Sequence, residues 1–220
     1  MVLRDGGTST LSWKWAGSER CSVASGVPSD LEVKEFSSFA TLRTEALACT
    51  QCGLASTRTQ VVFGTGDEHA RLMFVGEGPG ADEDRTGEPF VGRAGKLLTA
   101  LIEGIGLTRA EVYIANVVKC RPPGNRDPLP IEIESCRPFL EAQLAFIQPK
   151  VVVTLGNFAT KLLLDTKVGI TKLRGQSHAF RAGAVVIPVL HPSAVLRNGG
   201  TALAQARADF VMIRRTLAAE

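Results

Sequence analysis

The stretch 71-RLMFVGEGPGADEDRTGEPFVGRAGKLLTALIEGIG-106 places a short apolar run, a glycine-rich acidic loop and an amphipathic segment in succession. The run 71–77 has the length and apolar content of a buried strand. In 93–106, Ala94, Leu97, Leu98, Leu101, Ile102 and Ile105 fall on one helical face. The same alternation continues outward. Strands are predicted at 112–119, 150–156 and 184–191, and helices at 38–49, 131–147, 157–165 and about 201–218, with a polar hairpin-like segment at 168–183. Short all-apolar strands alternating with helices predict an α/β fold with a parallel sheet covered on both faces. Ligands of such sheets bind at the carboxyl ends of the strands. That directs attention to the loops 76–92, 119–130 and 191–199.

The chain of 220 residues is long enough for one sizeable domain, and its 45% apolar and 21% charged content is that of a soluble globular protein. The net charge of +3 permits a local nucleic-acid patch without demanding one. No run approaches the roughly 18 apolar residues of a membrane span, and the first twenty residues have no apolar core of signal type. A cytoplasmic location is expected. Residues 1–36 are rich in Ser and Gly without periodicity and read as a flexible extension, with Trp13 and Trp15 as a docking point or simply part of a tail; the catalytic domain is expected over 37–220.

Glycine loops after a strand usually hold phosphate, but 76-GEGPGADEDRTGEPFVG-92 carries Glu77, Asp82, Glu83, Asp84 and Glu88. The pattern is G-x-G-x-G, no helix opens at its last glycine, and the acids repel phosphate, so a dinucleotide fingerprint fails. The segment 92-GRAGKLL-98 lacks the spacing of a P-loop and the hydroxyl after Lys96. Elsewhere, His191 closes the last strand, while His69 and His178 read as surface residues. Asn116 falls inside an apolar strand, where a buried amide is costly unless satisfied; it ties down a loop or reads a planar ligand. Phe90 is a core residue or a stacking surface. The segment 119-KCRPPGNR-126 has three basic residues and no acid, which suits a phosphate backbone. Carboxylates, amide, aromatic and histidine together could stack a base, read its edge and hydrolyse an adjacent bond.

Of the five cysteines, Cys49 and Cys52 form C-x2-C, and Cys120 and Cys136 follow after an interval of 67 residues. That interval is too long for a compact zinc finger. In a reduced compartment four thiolates suit zinc or an iron–sulfur cluster. Cys21 lies in the extension and reads as a free thiol.

The blocks 49-CTQC-52, 76-GEGPGADED-84, 89-PFVGRAGKLL-98, 114-IANVVKCRPPGNRDP-128, Cys136 and 191-HPSAVLRN-198 resemble the family 4 uracil-DNA glycosylases, the iron–sulfur type, over about residues 38–218. The resemblance implies a three-layer α/β/α fold around a central four-stranded parallel sheet. It implies a [4Fe–4S] cluster on Cys49, Cys52, Cys120 and Cys136. It further implies an enzyme that flips uracil out of DNA and hydrolyses its glycosidic bond, leaving an abasic site. By similarity, uracil stacks on Phe90, pairs with Asn116 and is held by backbone at Gly78. His191 lies beside the carbonyl that gains charge. Glu83 matches a position linked to catalysis, with support from Asn125, and Glu77 competes for that role. Lys119, Arg121 and Arg126 in the basic loop, with Ser193, Leu196 and Arg197, are expected at the DNA. Leu196 or Arg197 would fill the space left by the flipped base, with core packing the alternative for Leu196. Some relatives in the wider superfamily carry a histidine in a longer basic insert that captures the sugar covalently. Arg121 to Ser135 holds none, so turnover is expected. The competing readings are a non-catalytic iron–sulfur DNA-binding module of replication or repair, which needs neither Glu83 nor His191, and an electron carrier. A nucleoid-associated monomer is expected, with residues 1–36 available to a replication or repair partner.

Overall fold

Successive residues of each central strand bury their side chains on opposite faces, so both faces of the sheet need helical cover. The computed structural model describes residues 36–219; the N-terminal extension, with Trp13, Trp15 and Cys21, lies outside the described residues except for Phe36. Strand β1 spans Thr65–Gly66, β2 Leu72–Gly76, β3 Tyr113–Asn116, β4 Val151–Leu155, β5 His178–Ala179 and β6 Val185–Val189. They form one sheet in the order β1-β3-β2-β4-β6-β5. The four central strands are parallel, and β1 and β5 pair antiparallel at the edges. The expected four-stranded parallel sheet is thus the centre of a mixed, six-stranded one. The added strands are two residues long, too short to show a period.

Helix α1 spans Phe39–Leu47, α2 Ala81–Thr86, α3 Arg93–Glu103, α4 Pro130–Ile147, α5 Asn157–Leu163, α6 Ile170–Leu173, α7 Pro192–Asn198 and α8 Gly200–Ala219. Leu72, Phe74, Ile114, Val153 and Ile187 pack against α3, α7 and α8 on one face. Met73, Val75, Ala115, Val152 and Val186 pack against α4 and α5 on the other. This is the expected three-layer arrangement. Phe74 of β2 stacks on Phe210 of α8, with centroids 5.7 Å apart, and ties the sheet to the C-terminal helix. Helix α1 adds a satellite core of Leu42 and Ala46 against Phe63 and Phe139. Among the described residues, no helix is long and apolar enough to cross a membrane.

Two helices occupy segments read as loops. Helix α2 opens directly after Gly80, its N-cap, against the expectation that no helix starts at the last glycine of that loop; Ala81 is the lone apolar side chain from 81 to 86, so no hydrophobic period betrays it. Helix α7 holds the segment after His191 and starts with Pro192, which is preorganised for a first helical position. The polar segment 168–183 contains α6 and β5.

Candidate active site

The carboxyl ends of β2, β3, β4 and β6 open into one cleft of 1020 Å³, lined by residues that include Glu77, Gly78, Glu83, Phe90, Asn116 and His191. All three expected loops contribute, and a fourth wall comes from the start of α5 through Asn157, Phe158 and Lys161. That wall was not anticipated, although Gly156 closes a strand as plainly as Gly76 does.

Asn116 ends β3 and is 1% exposed. Its Oδ1 is buried without a hydrogen-bond partner. An orphaned buried acceptor costs about 1–3 kcal/mol, and this one lies in the wall of a ligand-sized cleft. Register puts Asn116 directly beside Gly76. A Cβ at Gly76 would sit 2.4 Å from Asn116 Oδ1 and 2.6 Å from Phe90 Cζ, so only glycine lets the amide and the ring approach each other here. Phe90 is 7% exposed and lies with its ring centroid 5.8 Å from that of His191. It belongs both to the core cluster and to the cleft wall, joining the two roles weighed from the sequence.

His191 is the N-cap of α7. Its Nδ1 accepts the Ser193 backbone N–H at 3.2 Å and lies 2.7 Å from the Ser193 hydroxyl. With Nδ1 committed as an acceptor, the neutral ring carries its proton on Nε2. Burial, together with the nearby Arg197 charge, pulls its pKa down to about 4, against an opposing pull from Glu83. The imidazole is therefore a neutral hydrogen-bond donor near pH 7, not an imidazolium. Ser193, expected at the DNA, turns its hydroxyl to His191.

The two competing carboxylates have different surroundings. Glu83 accepts the N–H groups of Val91 at 2.9 Å and Gly92 at 3.0 Å through Oε1, and that of Gly80 at 3.1 Å through Oε2. It braces the loop. Asn125, expected to support it, accepts from Arg121 Nε at 2.7 Å. Asp84 is likewise spent on the Thr59 and Gln60 amides. Glu77 is half-buried and its carboxylate bonds to no described residue. Burial, then repulsion from Asp127, raises its pKa.

Lys119 is 1% exposed, and its ammonium donates to the Asn116 carbonyl at 2.8 Å and to Gln143 Oε1. It cannot reach a phosphate; beyond the end of β3 at Asn116 the chain bends, and the side chain is turned inward. Arg126 is bidentate on Glu132, at 2.6 and 2.9 Å, which neutralises its charge. Arg121 is half-exposed, and Arg197 is exposed on the cleft rim. Leu196 is 49% exposed, which removes the core-packing alternative for it. Arg109 was missed: it donates to the Pro89 carbonyl at 2.8 Å and the Phe90 carbonyl at 3.3 Å, and nothing in its sequence surroundings signals that contact.

The four cysteines come from separate elements. Cys49 follows α1, Cys52 caps the turn Gly53–Ser56, Cys120 lies beyond β3 and Cys136 is within α4. All four are free thiols. They share one electrostatic neighbourhood, since Cys120 senses Cys52 and Cys49, and Cys136 senses Cys120 and Cys52. Arg58 and the Lys119 backbone N–H each donate to a sulfur, those of Cys120 and Cys136 respectively, at 3.4 Å. Among the described residues no three His, Cys, Asp or Glu side chains close around a single ion.

A family model described as "Uracil DNA glycosylase superfamily" matches residues 63–217. The "Type-4 uracil-DNA glycosylase" of Thermotoga maritima is 54% identical over 151 residues, covering 68% of this chain and 79% of that protein. The protein of the same description from Sulfurisphaera tokodaii is 48% identical over 166 residues, 71% of this chain and 75% of its own. A "Type-5 uracil-DNA glycosylase" from Thermus thermophilus is 36% identical over 138 residues, 56% of this chain and 61% of its own. The chain belongs to the uracil-DNA glycosylase superfamily and, within it, to the type-4 group.

Proposed function

We propose that this protein removes uracil from DNA by hydrolysing the N-glycosidic bond, releasing the base and leaving an abasic site. The observation that carries the reading is the buried, unpartnered Oδ1 of Asn116 in a cleft beside Phe90 and His191. Uracil presents an N3–H to such an acceptor and a carbonyl to the neighbouring amide N–H. Cytosine presents the reverse pattern and leaves the buried amide unpaired, which is the penalty that separates them. The base must leave the duplex to reach this depth. Leu196 and Arg197, exposed on α7, occupy the space it vacates. Phe90 supplies the stacking face and the Gly78 backbone lines the slot.

As the glycosidic bond lengthens, negative charge grows on the departing base and positive charge on the sugar. His191 Nε2–H, held in that tautomer by Ser193, donates to the carbonyl oxygen that gains charge. Glu77, as carboxylate, faces the sugar and orients the attacking water. Glu83 positions the loop. No histidine lies between Arg121 and Ser135 to trap the sugar, so the enzyme turns over.

The four thiols fit a [4Fe–4S] cluster. They are all-sulfur donors from four separate elements that share one electrostatic neighbourhood, and two of them receive N–H bonds. When bound, the cluster would supply a cross-link: held by Cys49, Cys52, Cys120 and Cys136, it would pin 119–130 to α1 and α4. The protein acts as a monomer on uracil-containing DNA in the cytoplasm, at the nucleoid, with residues 1–36 open to a repair partner.

The test is a labelled strand with one uracil, incubated with protein and treated with hot alkali. Cleavage at the uracil by the wild type, lost in Asn116→Ala, is the expected result. DNA binding without cleavage would favour the non-catalytic module.

A further inference from the structure

Phe90 sits at a backbone angle that its side chain does not favour, with φ of 53° in the left-handed region. Such a conformation persists only where its surroundings enforce it. Two side chains distant in sequence do so here. Glu83 receives the amides that follow Phe90, those of Val91 and Gly92. Arg109 grips the carbonyls on the other side, Pro89 O at 2.8 Å through Nη2 and Phe90 O at 3.3 Å through Nη1. The same Nη1 lies 3.3 Å from Thr99 Oγ1 on α3, which fixes the guanidinium to the helix. Arg109 is itself held at the start of a 3-10 turn, where Glu111 accepts from both the backbone N–H and the hydroxyl of Thr108 at 2.8 Å. Gly95 completes the seat, since a Cβ there would fall 1.8 Å from the Phe90 carbonyl oxygen.

We propose that Arg109 is a positioning residue for base recognition: by holding the Pro89 and Phe90 carbonyls opposite the Glu83 clamp, it fixes the Phe90 ring as a rigid stacking surface. This rests on the reading of Phe90 as the face that receives uracil. Arg109 does not line the cleft, so its effect passes entirely through the Pro89–Val91 backbone. Lysine cannot replace it fully, because a single ammonium does not reproduce the guanidinium fork that serves two carbonyls and a hydroxyl at once.

The experiment is a double-mutant cycle with Arg109→Gln, Phe90→Ala and the pair, read as single-turnover uracil excision, inhibition by free uracil, and affinity for uracil-free DNA. Arg109→Gln is expected to slow excision on the order of tenfold to a hundredfold, as small misplacements of a reacting group do. Inhibition by free uracil weakens with it, and affinity for uracil-free DNA stays unchanged. The double variant should excise no more slowly than Phe90→Ala alone, because residues acting through one another are not additive. Arg109→Lys should recover part of the loss, and serves in place of Arg109→Gln if that variant does not fold. Multiplicative losses, or a wild-type rate in Arg109→Gln, would overturn the inference while leaving uracil excision standing. A wild-type rate in Phe90→Ala would overturn both this inference and the stacking role on which it rests.

Discussion

In the proposed mechanism Glu77 and His191 divide the chemistry, and burial shifts the two groups in opposite directions, each towards its neutral form. The Glu77 carboxylate, half-buried and facing Asp127, holds its proton to higher pH than the ordinary value of 4.5. Its catalytic form is the carboxylate, so single-turnover excision should fall with acidification along a limb centred above 4.5, and Glu77→Gln should abolish that limb along with most of the rate. A pH–rate profile of the wild type with no such limb would count against Glu77. His191 stays neutral in the fold down to about pH 4, whereas an unfolded chain binds that proton near 6.5. Between those values the unfolded state holds more protons, so stability falls as pH drops, by up to about 3 kcal/mol from this group. Glu77 opposes it, since its raised pKa makes the folded state bind a proton first and so adds stability as pH falls. Denaturant titrations of wild type and His191→Asn from pH 7 to pH 4.5 should show a steeper loss in the wild type. Parallel curves would deny the burial of His191.

Two elements carry the site, and the sequence revealed them unequally. The four central strands and the long helices α3, α4 and α8 were readable because burial on a regular lattice leaves a period in the sequence, which the two-residue strands β1 and β5 are too short to do. Helix α2 left none. Its acids read as carboxylates of a hydrolytic site, yet Glu83 and Asp84 bond backbone amides, which only the folded loop reveals. Helix α7 was read as the segment that fills the flipped-out space, and the structure adds that His191 caps it. His191 and the exposed Leu196 thus sit on one short helix. The β2–β3 pairing is the other critical element. Gly76→Ala should push the Asn116 amide and Phe90 ring apart, costing about 1–3 kcal/mol of stability, as overpacked cores do. Excision should fall further than that loss explains. Thermal denaturation alongside single-turnover kinetics measures both, and an unaltered rate would show that the close approach at Gly76 is not needed.

Across the molecule, the parallel core places the carboxyl ends of β2, β3, β4 and β6 at one cleft, and the proposed cluster on the four thiols would secure the loop that forms its rim. The number and order of the motifs made the family and the cleft residues legible. Lys119 was misread because charge alone does not tell which way a side chain points, and it turns into the interior against Asn116 and Gln143. Arg109 was missed because its partners are carbonyls distant in sequence. Burial raises the Cys136 thiol to about 12 and the Cys120 thiol above its usual value, so metal binding must displace protons from buried sulfur. Protein purified without air should contain about four irons per chain. Cys136→Ser should lose iron and denature at lower temperature. Full iron content in that variant would exclude Cys136 as a ligand.

The most direct measurement is chromatographic detection of free uracil released from a single-uracil strand, for wild type, Glu77→Gln and His191→Ala, at protein concentrations that saturate the DNA. The account predicts stoichiometric release by the wild type. It predicts rates lowered on the order of a hundredfold or more in each variant, with DNA affinity retained, because both residues act on charge that develops only in the transition state. Wild-type release by both variants, or no release by the iron-loaded wild type, would contradict it.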